Sequence, residues 1–332
     1  MTAIPTEIRR VLDQVRRDVR RHALWQPGQR VLLACSGGRD SMAALALLDA
    51  LRPSLGHALA VAHVDHGLQP NHAATADLVA AEAMRRHLPL AVRHLALRPG
   101  ADLEARARTA RYRVLQAMRL ELGADCIATA HHADDQAETV LLRLARGAGA
   151  DARAGVRRVR ADAIVRPVLA VTRAQLGVCA GFFAVPWLAD PSNEDLAWTR
   201  NHVRHRVLPA LERAIPGAAA GLARSAALAA AQDGALAAWI DRALGDQLEV
   251  DRVAGVARVP VAALPDLSAA KSALLQRICQ RLGLPAPSQR AVDQWLALGD
   301  RGEADLHRLT VVGNGISWQF FAKNVARAAP AD

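Results

Sequence analysis

A seven-residue stretch, Cys35-Ser36-Gly37-Gly38-Arg39-Asp40-Ser41, constrains the fold of this chain more than any other. The compact apolar run Arg30-Val31-Leu32-Leu33-Ala34 before it reads as a buried strand, and Met42 to Leu51 after it reads as a helix. Strand, glycine loop and helix start make a phosphate site, because glycine lets the backbone approach an anion while free N–H groups and the helix dipole point at it. Neither the Walker spacing nor the GxGxxG dinucleotide fingerprint is present. Instead the loop offers Ser36 and Ser41 as hydroxyl donors and Asp40 as a carboxylate.

Similar units follow. Ala58 to Val64 reads as a second strand ending in Asp65-His66-Gly67-Leu68, and the carboxyl end of a strand is where open α/β sheets place ligand contacts. His63, Asp65 and His66 are metal-ligating types, but adjacency on one strand end gives them poor convergence on an ion. Ala73 to His87 reads as a helix and Pro89 to Leu97 as a third strand. In the helical run from Leu103 through Met118, Arg108, Arg111 and Tyr112 share a face. Glu104 is the sole acid between Asp102 and Glu121, so this arginine face invites phosphate.

The next unit is the second most telling. A strand from Asp125 to Ala130 runs into His131-His132-Ala133-Asp134-Asp135-Gln136-Ala137-Glu138-Thr139, and Val140 to Arg146 continues as a helix. Capping and the helix dipole account for an acid or two in a first turn. They do not account for this crowd, and buried unpaired charge is expensive. The block reads as a magnesium-nucleotide or cationic-substrate site. Beyond it, Arg143 to Arg173 is a basic connection with eight arginines against Asp151 and Asp162, and Ile164 to Leu169 is a short last strand. Asp190-Pro191-Ser192-Asn193 is a turn sequence, followed by Arg200-Asn201-His202-Val203-Arg204.

At 332 residues, 52% of them hydrophobic, the chain suits two domains with a sizeable core. From Ala210 the composition shifts to alanine-rich helix, so the boundaries are 1–209 and 210–332. No apolar run is long enough to span a membrane, and the four scattered cysteines offer no disulfide framework, so the expected setting is the cytoplasm. The net charge of +10 is unevenly placed: residues 1–209 carry 29 Lys or Arg against 20 acids, and residues 210–332 carry 13 against 12. A basic field around the phosphate loop favours a polyanionic partner. The first helix, Thr2 to His22, contributes to it, with Ile8, Val11, Leu12, Val15 and Val19 on one face and six arginines on the other.

With SGGRDS at 36–41, HVDHGL at 63–68, ARTARY at 107–112, TAHHADDQAETVLLRL at 129–144, RPVL at 166–169, DPSN at 190–193 and RNHVRHRVLP at 200–209, the chain resembles the tRNA(Ile)-lysidine synthases, PP-loop ATP pyrophosphatases. The resemblance implies an α/β fold, a doubly wound, mostly parallel sheet followed by a mainly helical C-terminal domain. It also implies a ligase that uses ATP and Mg2+ to attach L-lysine to C2 of the wobble cytidine of a CAU-anticodon tRNA(Ile), through an adenylated cytidine. On this reading Ser36, Gly37, Gly38, Arg39, Asp40, Ser41, His63, His131 and His132 bind ATP, Asp40 being the metal ligand. Arg111 stabilises charge on the phosphate, and Asp134, Asp135 and Glu138 hold the lysine cation or magnesium, with Asp40, Arg111 and Asp135 as the catalytic set. Arg108, Asn193, Arg200, Asn201 and Arg204 fall to the tRNA, and a homodimer is one option for assembly. Departures are the single C-terminal domain and Gln69 after HGL, where the family often has arginine.

Rival readings are a tRNA thiolase, disfavoured by cysteines too scattered for a sulfur relay, and an amidotransferase-type synthetase acting on a small molecule, which has no need of a basic field. A non-catalytic RNA-binding module has no use for Asp40, Arg111 and the HHADDQ block.

Overall fold

The structure, a computed structural model, describes residues 4–65, 72–95, 103–146, 154–189, 195–196, 198–264, 268–284, 286–306 and 308–323, with the backbone alone at 72 and 103–105. These divide into two compact units: residues 1–142 with 156–224, and residues 143–155 with 225–332.

In the first unit, strands β1 (Arg30–Ala34), β2 (Ala58–Asp65), β3 (Leu90–His94), β4 (Cys126–Thr129) and β5 (Ile164–Val165) form one parallel sheet in the order β3-β2-β1-β4-β5. Helices α1 (Thr6–Arg21), α2 (Arg39–Leu55), α3 (His72–Arg85), α4 (Leu103–Glu121), α5 (Ala133–Ala145) and α6 (Arg173–Phe182) accompany it. The period-2 alternation of a strand divides its side chains between two cores. Val31, Leu33, Leu59, Val61, Cys126 and Ala128 join the core with α1, α2 and α6. Leu32, Ala60, Ala62, Val64 and Ile127 join Leu115 and Met118 of α4 on the opposite face. With both faces covered, the strands read as unbroken apolar runs. The apolar stripe of α1 (Ile8, Val11, Val15 and Val19) is buried, while Arg9, Arg10, Arg17, Arg20 and Arg21 are exposed.

The strand order reverses at β1, whose neighbours are β2 and β4. The loops leaving β1 and β4 therefore part at this point, where open α/β sheets hold ligands. After α6, a helical stretch runs through α7 (Thr199–His202), a π-helical segment Val203–Val207 and α8 (Leu208–Ala214). Val203 and Leu208 seat it against Ala137 and Leu141 of α5.

The division between units falls within α9 (Ala218–Leu244). The second unit adds α10 (Ser268–Arg281), α11 (Gln289–Leu296) and an antiparallel sheet. Its strands are β6 (Glu249–Asp251), β7 (Val256–Pro260), β8 (Arg301–Asp305), β9 (Leu309–Asn314) and β10 (Ser317–Ala322), in the order β6-β7-β10-β9-β8. Trp318 and Phe320 of β10 are fully buried and meet Trp295 of α11 edge-on. The expected parallel sheet and C-terminal helices are present, and the five-stranded antiparallel sheet is added to them. No helix among the described residues is by itself long and apolar enough to cross a membrane.

Candidate active site

The loop between β1 and α2 is held open by its own side chains. Ser41 Oγ accepts the Ser36 N–H at 3.2 Å, lies 3.1 Å from Ser36 Oγ and donates to the Gly38 carbonyl at 2.9 Å. Gly38 caps α2 without using a side chain, so the first N–H groups of the helix remain available to an anion. Gly37 is in the left-handed region at φ +80°, and a Cβ there would lie 2.3 Å from Cγ2 of Thr75 on α3. Only glycine fits both constraints.

Two histidines at the end of β4 take opposite charge states. His132, buried to 2% exposure, has Nε2 at 3.4 Å from Asp40 and 3.6 Å from Asp135, and Nδ1 at 3.6 Å from Asp134. Burial alone would lower its pKa, but the three carboxylates overcome that and raise it to about 9, so His132 is a cation at neutral pH. Asp40 shows the reciprocal effect: burial works to raise its pKa, and His132, Arg173 and Arg39 hold it below the usual carboxylate range. His131, with Nδ1 at 2.8 Å from Thr129 Oγ1, is pushed down to about 3 by burial against the pull of Asp135, with Arg166, Arg108 and Arg200 adding to the shift. It is neutral.

Beyond the histidines, α5 presents its carboxylates to α7. Asp135 Oδ2 accepts the His132 backbone N–H at 3.0 Å, and its Oδ1 accepts from Arg200 at 2.9 Å and Arg204 at 3.2 Å. Glu138 accepts from Arg200 Nε at 2.7 Å and from Arg204 Nε at 2.6 Å. Burial would raise the pKa of Asp135, and the charges of His132 and Arg200 bring it to about 2 instead. Asp134, through the same Oδ2 that lies 3.6 Å from His132 Nδ1, accepts the Arg173 backbone N–H at 2.8 Å.

The wall made by α4 is cationic. The ring of Tyr112 has the guanidinium carbons of Arg160, Arg108 and Arg111 at 4.8, 5.2 and 5.5 Å from its centroid. No ion pair joins Arg108 or Arg111 to an acid among the described residues. Arg166, 2% exposed, completes the group, with its Nε and the buried Tyr112 hydroxyl both lacking hydrogen-bond partners among the described residues. Burial lowers the pKa of Arg111 and Arg166, and neighbouring arginines lower it further. Such a group of like charges is relieved by an anion.

These features surround one cleft of about 340 Å³, lined by Ser36, Asp40, Ser41, Arg108, Arg111, Tyr112, His131, His132, Asp135, Arg200 and Arg204 among others. Other residues expected at the site sit around it. His63 braces the Cys35 carbonyl through Nδ1 at 2.9 Å, on the sheet face away from α4. Arg39 lies along Gly177 of α6, Glu138 is fully buried behind Arg200 and Arg204, and Asn201 donates to the Asp195 carbonyl. Asn193 and the segment His66 to Gln69 lie outside the described residues. Tyr112 as the hub of the arginines, Arg166, and Arg173 at 3.7 Å from Asp40 were not singled out as site residues. The under-compensated arginine face was the one available signal, and it extended to Tyr112. Among the described residues no three His, Cys, Asp or Glu side chains are grouped to hold a metal by themselves.

Residues 5–211 match the PP-loop domain family. This fold, the glycine loop and the cleft beside it define an ATP-binding PP-loop enzyme. Similarity to curated proteins narrows the class. The chain is 41% identical over 265 residues to a tRNA(Ile)-lysidine synthase of Thermobifida fusca, covering 78% of this chain and 79% of that one. It is 46% identical to one of Salinispora arenicola, covering 67% and 69%. The chain belongs to the tRNA(Ile)-lysidine synthase family. In fold it is also similar to a U34-tRNA thiolase of Methanococcus maripaludis (TM-score 0.56, 17% identity, 66% of this chain and 78% of that one).

Proposed function

We propose that the chain ligates L-lysine to C2 of the wobble cytidine of a CAU-anticodon tRNA(Ile), consuming ATP and releasing AMP and pyrophosphate. The observation that carries this reading is the convergence on one cleft of the Ser36–Ser41 loop, the Arg108–Arg111 wall and the Asp135 carboxylate. In the first step the cytidine C2 oxygen attacks the α-phosphorus of ATP, and the bond to pyrophosphate breaks. The loop N–H groups and Ser36 and Ser41 receive the leaving pyrophosphate, and His132, already a cation, faces the same anion. Arg111, with no acid paired to it among the described residues, stabilises the charge that grows on the α-phosphate. In the second step the ammonium gives up a proton to solvent and the neutral lysine ε-amine attacks C2. The bond from C2 to the adenylate oxygen breaks so that AMP departs, and the remaining excess proton on the nitrogen also passes to solvent. Asp135, held at about 2, serves as counter-ion to the incoming ammonium rather than as its base.

Magnesium suits this donor set. Mg2+ is commonly held by one or two carboxylates with substrate phosphates and water completing its shell, and Asp40 is a single carboxylate beside the phosphate loop. When bound there the ion would neutralise phosphate charge.

The experiment is incorporation of labelled lysine into a CAU-anticodon tRNA(Ile) transcript, dependent on ATP and magnesium. Sulfur transfer or small-molecule amidation in its place would overturn the reading. A thiolase is further disfavoured by the thiols: all four are buried, and burial pushes Cys126 to about 12 and Cys179 to about 11, far from the thiolate that sulfur transfer requires. A second test is Asp40→Ala, expected to abolish pyrophosphate release while tRNA binding survives.

A further inference from the structure

The carboxylates assigned to lysine are already occupied by arginine. Arg200 and Arg204 stand four residues apart across α7 and the π-helical segment, and Asp135 and Glu138 three apart on α5, so the two helices present matched pairs. Five hydrogen bonds of 2.6–3.2 Å join them. The neighbouring acids are paired as well: Asp40 with Arg39, His132 and Arg173, and Asp134 with His132, so the acids around the cleft are matched by at least as many basic side chains. A primary ammonium entering this cleft therefore meets no uncovered acid among the described residues. For a lysine cation to bind at Asp135, one arginine has to leave.

The two arginines are not equivalent. Arg204 makes three of the five bonds, its side chain is 17% exposed, and it grips both oxygens of fully buried Glu138. Arg200 makes one bond to each carboxylate and is 37% exposed. Removing Arg204 would strand a buried charge, whereas removing Arg200 leaves Glu138 paired and uncovers one position on Asp135. Arg200 lies in α7, in the turn before the π-helical segment Val203–Val207 that holds Arg204, a feature that often marks functional sites.

Resting on the lysine and tRNA assignments proposed above, we infer that Arg200 is the exchangeable counter-ion of the lysine site: it yields Asp135 to the substrate ammonium when an RNA phosphate takes its guanidinium, while Arg204 stays as the positioning residue. Arginine suits such a transfer because its planar fork fits carboxylate and phosphate alike. Lysine and RNA binding are then positively coupled through one side chain, and the coupling is reciprocal.

The test is calorimetric titration of L-lysine into the full-length protein, with and without a CAU anticodon stem-loop RNA. Wild type should bind lysine about tenfold or more tightly with the RNA present. Arg200→Ala should bind lysine without RNA about as well as wild type does with it, and the RNA should change that affinity no further. Arg204→Ala should bind lysine poorly in both conditions. Should Arg200→Ala fail to fold, Arg200→Lys, which keeps the charge but loses the fork, should show a coupling smaller than wild type. Equal lysine affinity of wild type with and without RNA, or an Arg200→Ala protein that binds lysine no better than wild type without RNA, overturns the exchange alone. Absence of lysine binding in every form, with RNA binding intact, overturns the lysine assignment itself and the exchange with it.

Discussion

Arg204 holds Glu138 in a two-pronged grip, Nε to Oε1 at 2.6 Å and Nη2 to Oε2 at 3.1 Å, on a carboxylate with no exposed surface. Breaking a buried pair from one side leaves an uncompensated charge, which costs about 3–5 kcal/mol. Glu138→Gln is therefore expected to lose stability of that order, measured by urea denaturation at neutral pH. A change within about 0.5 kcal/mol, the usual range for surface substitutions, would show that the pair is not a fixed part of the fold.

His132 ties stability to pH. Its folded pKa of about 9 lies above the ordinary value of 6.5. The stability it confers is thus fully present below about pH 6.5 and is lost as pH rises through about 9, amounting to about 3 kcal/mol at most. The stability difference between wild type and His132→Gln should shrink between pH 7 and pH 10. Imidazole NMR should find His132 still protonated at pH 8, and Asp40→Asn should lower its titration point. A His132 resonance that titrates near 6.5 in the wild type would remove the cation from the site.

Gly37 is expected to reject any side chain. In Gly37→Ala the new methyl would meet Thr75 Cγ2 at 2.3 Å in a backbone conformation that L residues rarely adopt. ATP binding, followed by calorimetry, should weaken by about tenfold or more, equivalent to at least about 1.4 kcal/mol. Adding Thr75→Ser, which deletes the opposing methyl, should recover part of the loss, because the backbone strain persists.

Tyr112 is expected to matter through its ring. Tyr112→Phe keeps a face for Arg108, Arg111 and Arg160, whereas Tyr112→Leu loses three contacts worth about 0.5–1 kcal/mol each. The leucine variant should lower kcat for lysine ligation more than the phenylalanine variant does. Equal loss in both would assign the effect to the hydroxyl.

The parallel sheet was legible because both of its faces are covered, leaving apolar runs such as Val31 to Leu33 and Ala58 to Val64 with little else to become. The loop after β1 and the acid-rich block after β4 were legible because their residue types serve no core. Other features were hidden for physical reasons. The expected strand from Ile164 to Leu169 contracts to Ile164–Val165, since Pro167 has no N–H for a ladder. Strand β8, Arg-Gly-Glu-Ala-Asp, is an exposed edge whose alternation is too weak to read, and three-residue β6 is too short. The pairing of Asp135 and Glu138 with Arg200 and Arg204 spans 62 to 69 residues, and nothing local announces it. Read singly, the arginines point to RNA and the acids to lysine or magnesium.

The chain contains one tyrosine, and the fold has placed it in the arginine group on the wall of the cleft. Uniform incorporation of 3-fluorotyrosine would therefore yield a single fluorine resonance, with no assignment to make. Its chemical shift would register the arrival of a phosphate among Arg108, Arg111 and Arg160, giving the protein an internal gauge of occupancy that can be read before any bond is made.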